Sequence, residues 1–223
     1  WYTSPVTVTL SPVKIAEYSL DGGTTWTAYS SPITLNEEGT HKVLYHRLVD
    51  TGEAKSLEIK IDLTGPVVKI TGGASYTIDQ TVSITCTATD VTSSVYGTPC
   101  GTPLVQAKAY TLASGQNKAT VTAEDMAGHQ TTANHTFTVK VTFDSLKAVT
   151  KTFLQSTGAK QWEAVAESLN QKLDKAKAAA AAGKIDAARS MMADYIKQVT
   201  DQAGKYLTKE QADILIRWAK IVI

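Results

Sequence analysis

A chain of 223 residues with 43% apolar side chains can bury a core, which excludes a disordered segment and allows one to three domains. Its formal net charge of +1 creates no long-range field for nucleic acid or an anionic membrane. No apolar run approaches the roughly 20 residues that span a bilayer. The chain begins at Trp1, with neither an initiator Met nor a signal peptide, and is therefore expected to be a fragment of a longer protein.

Residues 1–65 read as short strands at 6–10, 15–20, 25–29, 33–35, 41–49 and 56–62, each closed by Gly, Pro, Asp or Asn. EYSLDGGTTWTAYSSPITL reads as a hairpin: Asp21-Gly22-Gly23 tolerates the positive φ of a turn, and the Thr/Trp/Tyr run after it suits a half-buried pleated surface. In HKVLYHRLVD, Val43, Tyr45 and Arg47 share one face and Leu44, His46 and Leu48 the other. Neither face is purely polar, which predicts an interior strand. WYTSPVTVTLS, with YSLDGG-TTW and the run to DLTGP, resembles the small β repeat found in tandem in large secreted bacterial proteins, the family named after an outer-membrane protein L of spirochaetes. One departure is the turn, Asp50-Thr51-Gly52-Glu53 in place of D-x-x-G-N.

Gly65-Pro66 closes that unit, because Pro66 cannot donate to a ladder. The β pattern restarts at 67–70, 81–89, 107–112, 118–124 and 131–141. SITCTATD and ATVTAEDMAGHQTTANHTFTV resemble the bacterial immunoglobulin-like modules appended to secreted enzymes, in which A-x-D-x-A-G closes the penultimate turn. Residues 91–106 form an insertion rich in turn formers. Cys86 and Cys100 stand in this Thr/Ser/Gly-rich setting, which suggests a disulfide and an oxidising compartment; the alternative is two independent buried thiols.

After Val141 the apolar period changes to three or four. Stripes run through Leu146, Val149, Thr150 and Phe153; through Trp162, Val165, Ala166, Leu169, Leu173 and Ala176; through Ile185, Ala188, Met192, Tyr195, Ile196 and Val199; and through Ile214, Leu215, Trp218 and Val222. Gly158, Gly183 and Gly204 follow the first three stripes as C-caps, and Thr208 with Gln211 fits a capping box. The Ala run 178–182 reads as a close-packing helix end, and Met191, Met192 and Trp218 as core. This segment is similar to the FIMAH domain at the C-terminus of many secreted bacterial hydrolases and lyases. Its charge also differs, with 13 Lys/Arg against 9 Asp/Glu, where residues 1–142 carry 9 against 12. The expected fold is therefore multidomain: two tandem all-β Ig-like sandwiches, 1–65 and 66–142, followed by an all-α bundle of about four helices, 143–223.

No catalytic constellation is found: G-x-S-x-G, H-E-x-x-H and a glycine-rich phosphate loop are all missing from the sequence. Asp125 reads as a turn former. A Ca²⁺ site on Asp90 and Asp125 falls short of six ligands. His41 and His46 face opposite sides of a strand, and His129 with His135 lacks a third ligand, so neither metal nor cofactor is expected. Asn134-His135-Thr136 matches a glycosylation sequon. Exposed aromatics stack on sugar rings, which makes Trp26 and Tyr29, with Asp21 and Thr24 as polar contacts, the candidate ligand site; core packing of Trp26 is the alternative. The resemblances imply a non-catalytic, extracellular or cell-surface accessory region of a polysaccharide-active bacterial enzyme. Its partners would be polysaccharide or cell-surface glycan and the catalytic domain of the same parent chain. The alternatives are the stalk of an adhesin or surface-layer protein, and a helical protein-binding module on β spacers.

Overall fold

The computed structural model describes residues 1–11, 15–47 and 53–223. Among them the elements run β1 (Val6–Val8), β2 (Ile15–Ser19), β3 (Thr27–Ala28), β4 (Ile33–Leu35), β5 (Gly39–Arg47), β6 (Lys55–Ile61), β7 (Val67–Thr71), β8 (Ser75–Thr77), β9 (Thr81–Thr89), β10 (Val105–Lys108), β11 (Gly115–Glu124) and β12 (Gln130–Lys140). The helices α1 (Phe143–Ser156), α2 (Trp162–Ala181), α3 (Ile185–Gln202) and α4 (Lys209–Ala219) follow. Strands thus occupy the first part of the chain and helices the C-terminal part. The strands form four small sheets, ordered β1-β4, β3-β2-β5-β6, β10-β9-β7 and β11-β12-β8. The expected turn at Asp50-Thr51-Gly52-Glu53, and strand residues Leu48 and Val49, lie outside the described residues, apart from Glu53.

Two compact units divide the chain. One comprises residues 1–70, 86–102 and 120–133; the other comprises 71–85, 103–119 and 134–223. In the first, Val8, Leu10, Ile33, Leu35, Val43, Ile59 and Ile61 form one core, with Tyr18, Tyr29 and Tyr45 packed against it. Period-two alternation explains the selection, since each of these strands turns every second side chain inward. As the two-faced pattern of HKVLYHR predicts, β5 lies inside its sheet between β2 and β6. The same unit holds the disulfide between Cys86 and Cys100, 14 residues apart. Closing a loop of that size stabilises by about 3 kcal/mol on the loop-entropy model.

In the second unit β8 runs parallel to β12, pairing Ser75 with Thr138 and Tyr76 with Val139. Tyr76 meets Phe137 edge to face at 5.8 Å. The strand expected over 107–112 is corrected: β10 stops at Lys108, and Ala109–Thr111 is a 3-10 turn. The Ala109 amide donates to the Gln80 carbonyl at 2.9 Å and Thr111 Oγ1 closes onto the Lys108 carbonyl at 2.7 Å, so the ladder ends there. That turn presents the Tyr110 carbonyl, which accepts from Trp218 Nε1 at 2.9 Å and from the Arg217 guanidinium. The Tyr110 ring lies edge-on to Phe153 at 4.9 Å.

The helices pack in a closed circuit, α1 on α2, α2 on α3, α3 on α4 and α4 on α1. Leu146, Val149, Thr150 and Phe153 of α1 are buried, as are Leu169 and Leu173 of α2, Met192, Tyr195 and Val199 of α3, and Leu215 and Trp218 of α4. Trp162, Val165 and Ile196 are only half-buried, and Ile185 is exposed at the start of α3. Thr208 and Gln211 form the expected capping box, and Thr142 forms a second with Ser145. Gly183, at φ +73°, reverses the end of α2 so that the Lys184 amide can reach the Ala179 carbonyl at 2.9 Å.

The circuit encloses a polar pair. Thr150 Oγ1 donates to the Leu146 carbonyl at 2.7 Å and also lies 2.7 Å from Tyr195 Oη. Tyr195 is fully buried, and burial pushes its phenol well above the usual range. Since Thr150 has one proton and gives it to Leu146, Tyr195 is the donor of the pair. Removal of either partner then has unequal cost. Tyr195→Phe leaves Thr150 satisfied and should cost about 1 kcal/mol, whereas Thr150→Val leaves a buried hydroxyl without an acceptor and should cost about 1–3 kcal/mol. Denaturant unfolding of both variants checks the order; a larger loss for Tyr195→Phe would reverse the donor assignment.

Candidate functional site

The aromatic residues near the first turn take separate partners. Trp26 is half-buried and its ring lies 4.3 Å from that of His46, tilted by 38°. Its Cζ2 also lies 3.7 Å from where a Cβ on Gly23 would stand. Tyr29 turns to the core, edge-on to Tyr18 at 6.3 Å, and its hydroxyl accepts from the Leu10 amide at 3.0 Å. The two rings therefore build no common platform. The alternation of a regular strand foretells this divergence, although β3 itself is only Thr27–Ala28.

Asp21 and Thr24 hold the turn. Asp21 Oδ1 accepts from the Thr25 amide at 2.9 Å and Ser19 Oγ at 2.7 Å, while Oδ2 accepts from Thr25 Oγ1 at 2.6 Å. Thr24 Oγ1 donates to the Asp21 carbonyl at 3.1 Å. The hydrogen bonds from Thr25 and then Ser19 hold the Asp21 carboxyl well below the usual carboxylate range. Asp90 also holds its loop, with Oδ1 accepting from the amides of Thr92, Ser93 and Ser94 at 3.1, 2.8 and 3.0 Å. His41 and His135 each donate to a carbonyl, that of Glu37 at 2.7 Å and that of Gly73 at 3.0 Å.

A different cluster emerges in the first unit. Asp62, Asp125 and His129 each bring one potential ligand atom within 4.8 Å of the other two, which makes this a candidate metal centre among the described residues. Both carboxylates are buried, Asp62 at 0% and Asp125 at 1% exposure. Asp125 Oδ1 accepts from the Ala127 and His129 amides at 2.8 and 2.9 Å, as a turn former should, and its Oδ2 lies 3.1 Å from His129 Nδ1. Asp62 Oδ1 accepts from the Thr64 amide at 3.1 Å, whereas its Oδ2 is buried with no hydrogen-bond partner. The backbone of Asp62 is pinned by its amide, which donates to the Tyr2 carbonyl at 2.9 Å. Gly65 lies so close that a Cβ there would stand 3.3 Å from His129 Cβ and 3.1 Å from Thr131 Oγ1.

In the sequence Asp62 stands at a module end, Asp125 reads as a turn former, and His129 with His135 lacks a third ligand. The alternation that turns Ile59 and Ile61 inward points Asp62 outward, so its burial arises from the change of direction in DLTGP. The readable signal is the acid that opens D-L-T-G-P together with D-M-A-G-H. Neither family models nor curated proteins match this chain.

Because a depressed carboxylate titrates only once pH falls far below its unfolded value of 3.8, Asp21 stabilises the turn above that value and the contribution is lost as pH drops through the folded value. Asp21→Asn should therefore lower Tm at pH 7 and lose most of that penalty near pH 2. Thermal melts of both proteins across this range check it; a penalty independent of pH would assign the effect to geometry alone.

Proposed function

We propose that this chain is a non-catalytic accessory region of a large secreted, polysaccharide-active bacterial enzyme, which spaces, anchors or holds glycan near a catalytic domain of the same parent chain. The segments 1–65 and 66–142 would be Ig-like sandwiches of the kinds the motifs resemble, and 143–223 a FIMAH-like bundle. The observation that carries this reading is how the side chains with chemistry are engaged. Asp21, Asp90 and Asp125 accept loop amides, while His41 and His135 donate to carbonyls, so each of these side chains has a bond that serves the fold. The disulfide accords with an extracellular or cell-surface setting. No helix among the described residues is long and apolar enough to cross a membrane.

Any glycan contact would fall on Trp26, the ring of the candidate pair that is not packed against the core, with His46 beside it. Asp21 and Thr24 would then act by shaping the turn under the sugar. The adhesin-stalk reading shares these modules and differs only in what precedes them. A helical docking module is disfavoured by the burial of Leu215 and Trp218, the side chains such a face would need.

One stacked ring is worth on the order of 1 kcal/mol, so binding at a single Trp26 platform should be millimolar to high micromolar. Affinity electrophoresis in a panel of soluble polysaccharides should retard the wild-type chain and not Trp26→Ala, with no reducing ends released in the same samples. Turnover that disappears on a point mutation would overturn the non-catalytic reading. Equal retardation of the two proteins would remove Trp26.

A further inference from the structure

We propose that Asp62, Asp125 and His129 bind one divalent cation of the Zn²⁺ class, clasping the end of β6 to the β11–β12 turn. The argument starts from charge. Two buried carboxylates lie close together, and an oxygen of Asp62, wholly out of water, has no donor. Burying an ionised carboxylate without a partner is costly, and even a charged His129 would balance only one of the two. A divalent ion balances both.

Geometry supports the same occupant. Ligands adjacent on an ion with bonds near 2.1 Å stand about 3.0–3.4 Å apart, and the 3.1 Å between Asp125 Oδ2 and His129 Nδ1 falls in that range. All three donors lie within 4.8 Å of one another, so a small side-chain shift brings them onto one centre. The donors come from a fixed frame: Asp62 is held by the Tyr2 carbonyl and the Thr64 amide, and Asp125 by two amides of its own turn. His129 keeps 24% of its side chain exposed, which gives an ion a way in. Gly65, which has no Cβ to press on His129, permits the close approach. Two carboxylates and an imidazole form a mixed oxygen and nitrogen set that suits Zn²⁺ or Mn²⁺, whereas Ca²⁺ takes six to eight oxygens.

The site is independent of the glycan reading and is tested without it. The full chain is stripped with EDTA and titrated with Zn²⁺ by calorimetry, with Tm followed in parallel. One saturable site per chain and a concentration-dependent rise in Tm are expected. Asp62→Asn and His129→Gln should each weaken binding at least ~10-fold and suppress the rise. Without metal, Asp62→Asn should melt at or above the wild-type temperature, since it removes a buried charge that lacks a partner. Lack of saturable binding overturns the proposal, as does affinity unchanged in both variants, which would place Zn²⁺ on other histidines. Tighter binding of Ca²⁺ than of Zn²⁺ overturns the imidazole as a ligand. A lower metal-free Tm for Asp62→Asn with Zn²⁺ affinity intact would assign Asp62 to the fold alone.

Discussion

Loops outside a ladder must still satisfy their amide protons, and here a few aspartates do it. Asp90 Oδ1 collects three amides of the insertion, Asp125 Oδ1 collects two in the turn before β12, and Asp21 and Asp62 take one each. With these loops fixed, short strands can be joined without long connections, and the disulfide has two rigid ends to link. The same device creates the chemistry of the Asp62, Asp125 and His129 cluster. In each of its two carboxylates Oδ1 serves the backbone, which leaves the second oxygen to face its neighbours.

The helical segment is held by other means. Lys147 meets Asp174 and Lys177 meets Asp144, both at 2.7 Å between α1 and α2, but these pairs sit at the surface, where such contacts contribute little. Lys177 does keep the Asp144 carboxyl below the usual range. Apolar burial dominates, with Leu146, Leu154, Leu169, Leu173 and Leu215 each at 0% exposure and worth roughly 1.5–3 kcal/mol apiece. The Thr150 and Tyr195 pair adds direction to this core, because a buried hydroxyl accepts only one arrangement of its partner. At α4, Trp218 has an indole N–H that no neighbour on its own helix can receive; the Tyr110 carbonyl receives it. The helices are thus not chemically closed without the 3-10 turn of the preceding β segment.

Local pattern explains what was legible. The alternation through Val43 and Ile59, the glycine after α2 and the Thr208 box are all decided by residues within a turn of one another, and the structure has each of them. The Thr142 box is not legible in the sequence, because Ser145 stands where Glu or Gln is the familiar partner. The three-residue β8 is too short to show a period, and its parallel register with β12 depends on chain far away in sequence. The site was unreadable for the same reason: Asp62 and Asp125 belong to separate motifs, and only their shared burial brings them together. Trp26 and Tyr29 illustrate the converse, since adjacency in sequence gave them different neighbours.

The bond between Cys86 and Cys100 also sets how much of the chain can be drawn out by force. The two Cα atoms are 5.2 Å apart across 14 residues, a stretch that would reach roughly 45–50 Å if fully extended. Under tension the cross-link therefore withholds roughly 40–45 Å of contour length from this segment. Load passes through the sulfur bridge instead of the turn-rich insertion, whose loops are bypassed as long as the thiols stay oxidised.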